Sequence, residues 1–178
     1  MPRMRYSVRI MRPQDIPSVL RIQAECYAPA MVEDESTIRR RHEIAPDTAW
    51  VAEDEEGISA YLVAYRSSLG KITRLGGNFE NSAAPNCLYF HDLAVAGRFR
   101  GQGAAGALAE FAWNEAQQDG LAYSSLVSVQ DSRAYWEALG YRAYQELAQA
   151  QQANLNSYPG PAWYMVKSLA GLTGAATL

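Results

Sequence analysis

Short apolar stretches along the chain predict the strands of a sheet. Each stretch has the length of a strand and is bounded by turn-forming or charged residues. The stretch 141–150 is a further candidate for a strand. The clearer strands are assigned to 6–11, 48–54, 58–65, 87–95, 122–129 and 162–169.

Between these strands, apolar residues recur at helical spacing. Pro13 and Asp15 are typical of a helix start, and Gly120 is typical of the residue that follows a helix end. Residues 67–86 have no clear period, and a loop of that length inside a domain is functional or disordered. The predicted helices are 13–27, 34–44, 101–119 and 132–139.

The order of these elements predicts the fold class α/β (α+β), in a single domain. Strand, helix and strand follow one another as one central βαβ unit, so the sheet is mixed and is not a repeated doubly wound array. The 178 residues contain no internal repeat and no linker. We therefore expect one domain, 1–169, with a mixed central sheet of about six or seven strands and about four helices, followed by a tail, 170–178.

Charge and hydropathy narrow the function classes. The net charge of −3 gives no sign of general nucleic-acid binding. The cluster Arg39–Arg41 is balanced by neighbouring acidic residues, and we interpret it as a solvated helix face. No apolar run approaches the ~18 residues that a membrane span needs. We expect neither nucleic acid nor a membrane as a partner.

The cysteines and the N-terminal residues indicate a cytoplasmic protein. Cys26 and Cys87 are far apart and do not resemble a metal-binding or redox pair. Free thiols fit a reducing compartment, and the first residues lack the apolar segment of a signal peptide. We expect no bound metal.

The segment 97–106 is the main candidate binding site. Gly101 and Gly103 follow the predicted strand 87–95 and stand at the start of the predicted helix 101–119. The first N–H groups of a helix lack partners and carry partial positive charge, so a glycine-rich entry lets phosphate oxygens approach the backbone. We therefore expect an anionic phosphate or diphosphate ligand, with Arg98 and Arg100 adding charged contacts.

Two other phosphate-binding motifs fit this segment less well. A P-loop is excluded because no Lys-Ser/Thr follows the glycines. A dinucleotide site needs its glycines almost directly after the strand, and an acidic residue about 20 positions later. Residues 96–100 intervene here, and the next strand, 122–129, contains no carboxylate. A dinucleotide-binding enzyme stays open as the less favoured alternative.

Residues 93–108 resemble the cofactor loop of the GNAT superfamily of acyl-CoA-dependent N-acyltransferases. The family signature Q/R-x-x-G-x-G/A is met by Arg98, Gly101 and Gly103. A later family motif, a short helix followed by Gly-Phe/Tyr, is met by Gly140–Tyr141. The predicted element order is also that of the family, so the resemblance extends over nearly the whole chain.

The resemblance implies acetyl-CoA, or a related acyl-CoA, as the cosubstrate of an N-acetyltransferase. The family splays two parallel strands apart, here 87–95 and 122–129, to admit the pantetheine arm. The arm pairs with the strand backbone, and the loop amides hold the diphosphate. The residues implied for cofactor binding are Leu93, Ala94, Val95, Arg98, Arg100, Gly101, Gln102, Gly103, Ala104, Ala105 and Trp136.

Acyl transfer to an amine requires a base, because a free alkylamine is mostly protonated near pH 7. We choose His91, since the reference pKa of histidine, about 6.5, suits proton removal at neutral pH. By the period of two in a strand, we expect Tyr89, His91, Leu93 and Val95 on one face. The segment also resembles the H-x-L-x-V segment of arylalkylamine N-acetyltransferases, in which the matching histidine is a proposed base. A buried structural imidazole is the alternative.

Candidates for the other chemical steps come from the same resemblance. It implies the backbone N–H of Val95 as the donor to the oxyanion. Trp136 replaces the tyrosine with which many relatives protonate the leaving thiolate, and an indole cannot act as an acid near neutral pH. Recruitment of Tyr135, water and unassisted departure are the alternatives. We expect Asp92 to hold neighbouring structure in place and not to act as a base.

The family recognises its amine with two segments, here 25–36 and 67–86. The first carries several carboxylates, Glu33 among them, which either attract a cationic amine or are ordinary surface charge. A small-molecule amine and a peptide amine both stay open. Relatives are often dimers, and 162–169 is a candidate for pairing across the interface of a homodimer. A non-catalytic acyl-CoA sensor on the same fold is the main alternative function.

Overall fold

The computed structural model describes residues 6–171, and seven strands in this range form one sheet. Most of the predicted tail, 172–178, lies outside the described residues. The strands are β1 (Ser7–Ile10), β2 (Ala49–Asp54), β3 (Gly57–Ser67), β4 (Cys87–Val95), β5 (Tyr123–Ser128), β6 (Arg142–Ala143) and β7 (Trp163–Ser168).

Five α-helices and three 3₁₀ turns accompany the sheet within the same residues. The turns are Pro13–Asp15, Pro29–Met31 and Gly97–Phe99. The helices are α1 (Ile16–Cys26), α2 (Glu35–Ile44), α3 (Ala104–Gln118), α4 (Arg133–Ala138) and α5 (Gln149–Leu155).

The sheet has the strand order β1-β2-β3-β4-β5-β7-β6. Neighbouring strands are antiparallel except for the central pair β4 and β5, which is parallel. Helix α3 packs on one face, against β2, β3 and β4, and α1 packs on the other face. The buried alanines Ala104, Ala109 and Ala112 allow α3 to approach the sheet closely. The predicted single mixed sheet with one βαβ unit is confirmed.

A β-bulge interrupts β4 at His91. Val63 of β3 faces Asp92, but the next residue, Ala64, faces Phe90, so His91 is the extra residue of the pair. A bulge reverses the alternation of side chains beyond it. Leu93 packs in the core under α3, whereas Tyr89 packs in the cluster on the opposite face. The prediction of one face shared by Tyr89, His91 and Leu93 is therefore wrong.

Strands β4 and β5 separate from the bulge onward. Their parallel pairing runs from Cys87 opposite Tyr123 to Phe90 opposite Leu126 and ends there. Strand β4 nevertheless continues to Val95. The predicted splay of these two strands is confirmed, and it opens a cleft at their carboxyl ends.

The segment 141–150 differs from the prediction of a strand. Only Arg142–Ala143 pairs with β7, opposite Val166 and Met165. The run of alanine and glutamine that follows forms α5, because these residues have high helix propensity and Leu155 anchors the helix by burial. Residues 6–171 consequently contain one α-helix more than the four predicted.

Strand β7 lies inside the sheet. It pairs with β5 along its full length and with β6 on its other edge. The N–H of Tyr144 extends the second pairing by donating to the carbonyl of Tyr164, at 2.9 Å. Both edges of β7 are thus occupied at Tyr164, Met165 and Val166, which leaves little of this strand for the predicted pairing across an interface. The homodimer itself stays a prediction.

Candidate active site

The cleft between the splayed strands is a cavity of about 270 Å³. Its walls come from α1, the connection between α1 and α2, β4, β5 and α4, and Leu75 and Tyr158 also line it. Several of the residues predicted for the site therefore line the same cavity. The predicted residues that line it are His91, Leu93, Ala94, Val95, Arg100, Tyr135 and Trp136.

The free edge of β4 presents backbone groups to this cleft. The N–H of Ala96 donates to Ser59 of β3, at 2.8 Å, so alternation directs the N–H and C=O groups of Leu93 and Val95 toward the cleft. Side chains at the end of α1 already contact both carbonyls. The Tyr27 hydroxyl lies 3.2 Å from the carbonyl oxygen of Leu93, and the Cys26 thiol donates to that of Val95, at 3.1 Å.

The glycine loop adopts the open conformation that its sequence predicts. Gly101 and Gly103 have φ of +76° and +91°, a region that residues with a Cβ rarely adopt. A Cβ at either position would meet no atom within 4 Å, so open space lies beside the backbone. Gly103 caps α3, whose first turn presents N–H groups without helical partners. This geometry fits an anionic group.

The polar side chains of this loop have different surroundings. Arg98 forms an ion pair with Glu56 and stacks on Phe99, with its guanidinium carbon 4.4 Å from the ring centre. Arg100 lies on the cleft wall, with Nη2 4.0 Å from the Cys26 sulfur. Gln102 fastens the loop, since its amide donates to the carbonyl of Arg98, at 3.1 Å. Of the two arginines, Arg100 alone lines the cleft.

His91 belongs to a buried ionic cluster with Glu33 and Arg41. The side chains of Glu33, Arg41 and His91 are 8%, 3% and 3% exposed. The Glu33 Oε1 atom lies 3.0 Å from His91 Nε2 and 2.6 Å from Arg41 Nη1. Arg41 Nη1 is also 2.9 Å from His91 Nε2. Nδ1 of His91 is buried and has no hydrogen-bond partner among residues 6–171.

Hydrogen bonds within this cluster keep Glu33 ionised. Burial of the carboxyl group opposes its charge, but hydrogen bonds from His91 and Arg41 outweigh burial and hold the pKa of Glu33 well below its ordinary value. Arg41 also donates to the carbonyl of Gly77, at 2.7 and 3.0 Å, and the N–H of Gly76 donates to Glu33, at 2.9 Å. The cluster thus ties α2, β4 and the β3–β4 loop together.

The interpretation of Arg41 as part of a solvated helix face is wrong, and Glu33 is not an ordinary surface charge, since both side chains are buried. Arg41 follows Thr37 and Ile38 by one helical turn, and all three are buried on the inner face of α2. Helical phase was therefore the signal that could have separated Arg41 from the solvated arginines beside it. Nothing local in the sequence distinguishes Glu33, because its partners lie in α2 and β4.

Asp92 bonds to two neighbouring side chains, as expected for a residue that holds nearby structure in place. It accepts hydrogen bonds from the hydroxyls of Tyr27 and Tyr61, each at 2.5 Å. Burial raises the pKa of Asp92, and these two hydrogen bonds partly offset the shift. Asp92 also lines a second cavity, of about 10 Å³, together with Tyr61 and the ionic cluster.

Tyr135 and Trp136 occupy one wall of the cleft in different ways. Trp136 is buried and packs edge-on against Tyr141, with ring centres 5.4 Å apart. Tyr135 is 43% exposed, and partial burial raises the pKa of its hydroxyl above the ordinary value. Of the two side chains, only that of Tyr135 carries a hydroxyl that can donate a proton.

Gln130 joins the two sides of the cleft mouth, and sequence reasoning missed it. Its amide nitrogen donates to the carbonyl of Cys26, at 3.1 Å, and its amide oxygen accepts from the N–H of Ala28, at 3.2 Å. Gln130 and Asp131 have φ of +51° and +60°, a strained conformation for residues with side chains. No single-sequence pattern indicates such a contact between distant loops.

Among the described residues 6–171, no group of three His, Cys, Asp or Glu side chains is arranged to hold a metal ion. Over the same residues, no helix has both the length and the apolar character to cross a bilayer.

One protein-family model matches the part of the chain that forms most of the sheet and the cleft. The model of the acetyltransferase (GNAT) family matches residues 16–141, which include the splayed strands and the glycine loop. The chain therefore belongs to the acetyltransferase (GNAT) family. A search of curated proteins gives no significant match.

Solved structures with the same fold share little sequence with the chain. The GphF GNAT-like decarboxylase in complex with isobutyryl-CoA is 18% identical, with a TM-score of 0.73 over 92% of this chain and 99% of that one. The ribosomal-protein-S18-alanine N-acetyltransferase from Escherichia coli is 15% identical, with a TM-score of 0.68 over 98% and 99%. The GNAT family N-acetyltransferase YhbS from E. coli, in complex with CoA, is 20% identical, with a TM-score of 0.63 over 96% and 84%. At these identities the likeness establishes the fold alone.

Proposed function

We propose that the protein transfers an acetyl group from acetyl-CoA to a primary amine by direct attack. The observation that carries this proposal is the continuity of one cleft, which runs along the free edge of β4 from His91 to Arg100. Structures of the same fold have been determined with isobutyryl-CoA and with CoA, which supports an acyl-CoA ligand.

The chain offers suitable groups for each part of acetyl-CoA. The open backbone of Gly101 and Gly103 and the unpaired amides at the start of α3 fit the diphosphate. Arg100 supplies the positive charge on the cleft wall. The pantetheine arm would lie along the free edge of β4 as an added strand, where the N–H of Leu93 fits one of its amide oxygens.

His91 is the proposed general base. Its ring lines the cleft at the bulge, and Nδ1, which is buried, has no hydrogen-bond partner in residues 6–171. It takes a proton from the acceptor ammonium, whose nitrogen is then free to attack the acyl carbon. The N–H of Val95, directed into the cleft, donates to the oxygen that gains negative charge during the attack.

Tyr135 is proposed to protonate the departing thiolate. Its hydroxyl stands on the wall of the same cleft, whereas Trp136 at the family's usual position has no acidic proton. Because Trp136 replaces that tyrosine, a non-catalytic acyl-CoA sensor is the second candidate function.

The cytoplasm is the proposed compartment, since Cys26 and Cys87 are free thiols.

An amine-library screen that follows release of free CoA thiol tests the proposal and separates the two candidates. Transfer to a primary amine supports the enzyme, whereas calorimetric binding of acetyl-CoA without thiol release supports the sensor. Replacement His91→Ala is expected to lower kcat/KM by about 10²–10⁴-fold and to change the pH–rate profile. The matched control is His42→Ala, since His42 contacts the carbonyl of Met11 and does not line the cleft. Unchanged pH–rate behaviour in His91→Ala would exclude His91 as the base.

A further inference from the structure

The two nitrogen atoms of the His91 ring have opposite surroundings. Nε2 faces the Glu33 carboxylate at 3.0 Å, while Nδ1 is buried without a partner among residues 6–171. In a neutral imidazole one nitrogen carries the proton and the other is an acceptor. The identity of the protonated nitrogen decides whether His91 can accept a proton from the cleft.

Nε2 lies between an acceptor, Glu33 Oε1 at 3.0 Å, and a donor, Arg41 Nη1 at 2.9 Å, so the remaining hydrogen bonds of the cluster decide whether it carries a proton. The Glu33 Oε1 atom can only accept, and Arg41 can only donate. With a proton on Nε2, Oε1 receives two donors, one from His91 and one from Arg41, at 3.0 and 2.6 Å. With that proton, the N–H groups of His91 and Arg41 are two donors 2.9 Å apart, but Arg41 keeps its acceptors on Glu33 and Gly77. Without it, two acceptors would face each other at 3.0 Å, and the proton on Nδ1 would be a buried donor with no acceptor among residues 6–171.

Glu33 is held in a fixed position from several directions. The buried side chain of Gln23 bonds the backbone of Glu33 twice, to its N–H and its C=O, each at 2.9 Å. The N–H of Gly76 and the guanidinium of Arg41 hold the carboxylate itself. A carboxylate fixed in this way determines the orientation of the ring that donates to it.

We propose that Glu33 is a positioning residue, which together with Arg41 holds His91 as the Nε2–H tautomer and leaves Nδ1 as the proton acceptor. The catalytic role of this tautomer rests on the proposed function. In that step an N–H bond of the acceptor ammonium breaks, the electron pair stays on the amine nitrogen, and the proton forms a bond with Nδ1. The resulting imidazolium keeps its proton on Nε2, where the Glu33 carboxylate offsets the new positive charge.

The charged and titratable groups that face the ring come from several elements. Glu33 lies before α2 and Arg41 lies within it, Asp92 follows the bulge, and the ring centre of Tyr89 in β4 lies 6.3 Å from that of His91. Glu33 and Arg41 offset each other before the transfer. Asp92 adds an attraction for the imidazolium, although it is held by two tyrosines.

The tautomer can be measured directly in the unmodified protein. The chain has two histidines, so a long-range ¹H–¹⁵N correlation spectrum of the uniformly labelled protein contains two imidazole patterns, and His42→Gln identifies that of His91. At a pH where the imidazole is neutral, we expect the Nε2–H pattern for His91. An Nδ1–H pattern overturns the proposal, whatever the enzyme's activity is.

Kinetics of Glu33→Gln test the catalytic meaning. The amide keeps the size of the side chain but removes the charge that favours the imidazolium, so kcat/KM is expected to fall at least about tenfold. The acidic limb of its pH profile is expected to move to lower pH, while the Kd for acetyl-CoA stays within about twofold. The matched control is Glu35→Gln, since Glu35 is 53% exposed and pairs with Arg39 on the outer face of α2.

Two results separate failure of this inference from failure of the proposed function. If the wild-type protein transfers an acyl group, but Glu33→Gln leaves both kcat/KM and the acidic limb of the pH profile unchanged, the positioning role alone is overturned. Absence of transfer to any amine, combined with the Nε2–H pattern for His91, overturns the proposed function and leaves the tautomer established.

Discussion

Arg41 Nη2 lies 2.5 Å from Glu33 Oε2, inside the protein, where both side chains are less than one-tenth exposed. Removal of one partner from such a pair leaves the other charge buried without compensation, which costs about 3–5 kcal/mol. We expect Glu33→Gln to lower the free energy of unfolding at pH 7 by about 3 kcal/mol, at the lower end of that range because the amide oxygen still accepts hydrogen bonds. This loss in the free energy of unfolding can be measured by urea unfolding, with tryptophan fluorescence as the signal.

The pH dependence of that loss has a definite sign. The folded state holds the pKa of Glu33 below its unfolded value of about 4.3, so its contribution is present above pH 4.3 and is lost as pH falls toward the folded pKa. The difference between wild type and Glu33→Gln should therefore shrink below about pH 4. A difference that is constant from pH 7 to pH 3 would contradict the assignment, and Glu35→Gln should show little difference at any pH.

The sequence predicts the glycine loop well because the requirement is local. Gly101 and Gly103 carry the positive φ angles that the loop needs, and no distant residue decides this. The bulge at His91 depends instead on the register that β3 imposes on β4, which a single strand does not encode. For the same reason the partners of His91 were missed: Glu33 and Arg41 are 58 and 50 residues away along the chain.

Gly103 allows a test of the proposed diphosphate site. Alanine at this φ of +91° costs about 1–2 kcal/mol in stability, and its methyl group would fill the space beside the loop amides. We expect Gly103→Ala to weaken acetyl-CoA binding at least about tenfold in calorimetry. Gly120, with φ of +75°, is the matched control, because Gly120→Ala carries a similar strain at the far end of α3. Equal losses of affinity in both variants would show that strain, and not the site, is responsible.

Tyr135 should affect turnover more than binding. If its hydroxyl protonates the thiolate, Tyr135→Phe lowers kcat by about tenfold or more and leaves the KM for acetyl-CoA nearly unchanged. Stopped-flow detection of released thiol, together with steady-state rates, measures both quantities. Tyr123→Phe is the control, since Tyr123 begins β5 and does not line the cleft. A kcat equal to that of wild type would exclude Tyr135 as the proton donor and leave water or unassisted departure of the thiolate.

Tyr27 and Asp92 predict a second pH effect on stability, with a sign opposite to that of Glu33. Burial holds the pKa of Asp92 above its unfolded value, so the folded state binds more protons and loses stability as pH rises from about 4 through the folded pKa. Tyr27→Phe removes one of the two hydroxyls that bond this carboxyl, at 2.5 Å, and raises its pKa further. The variant should therefore lose about 1–3 kcal/mol at pH 7 and much less at pH 4, in urea unfolding against Tyr123→Phe as control. An equal loss at both values of pH would mean that Tyr27 stabilises the fold by packing alone, and that Asp92 does not depend on its hydroxyl.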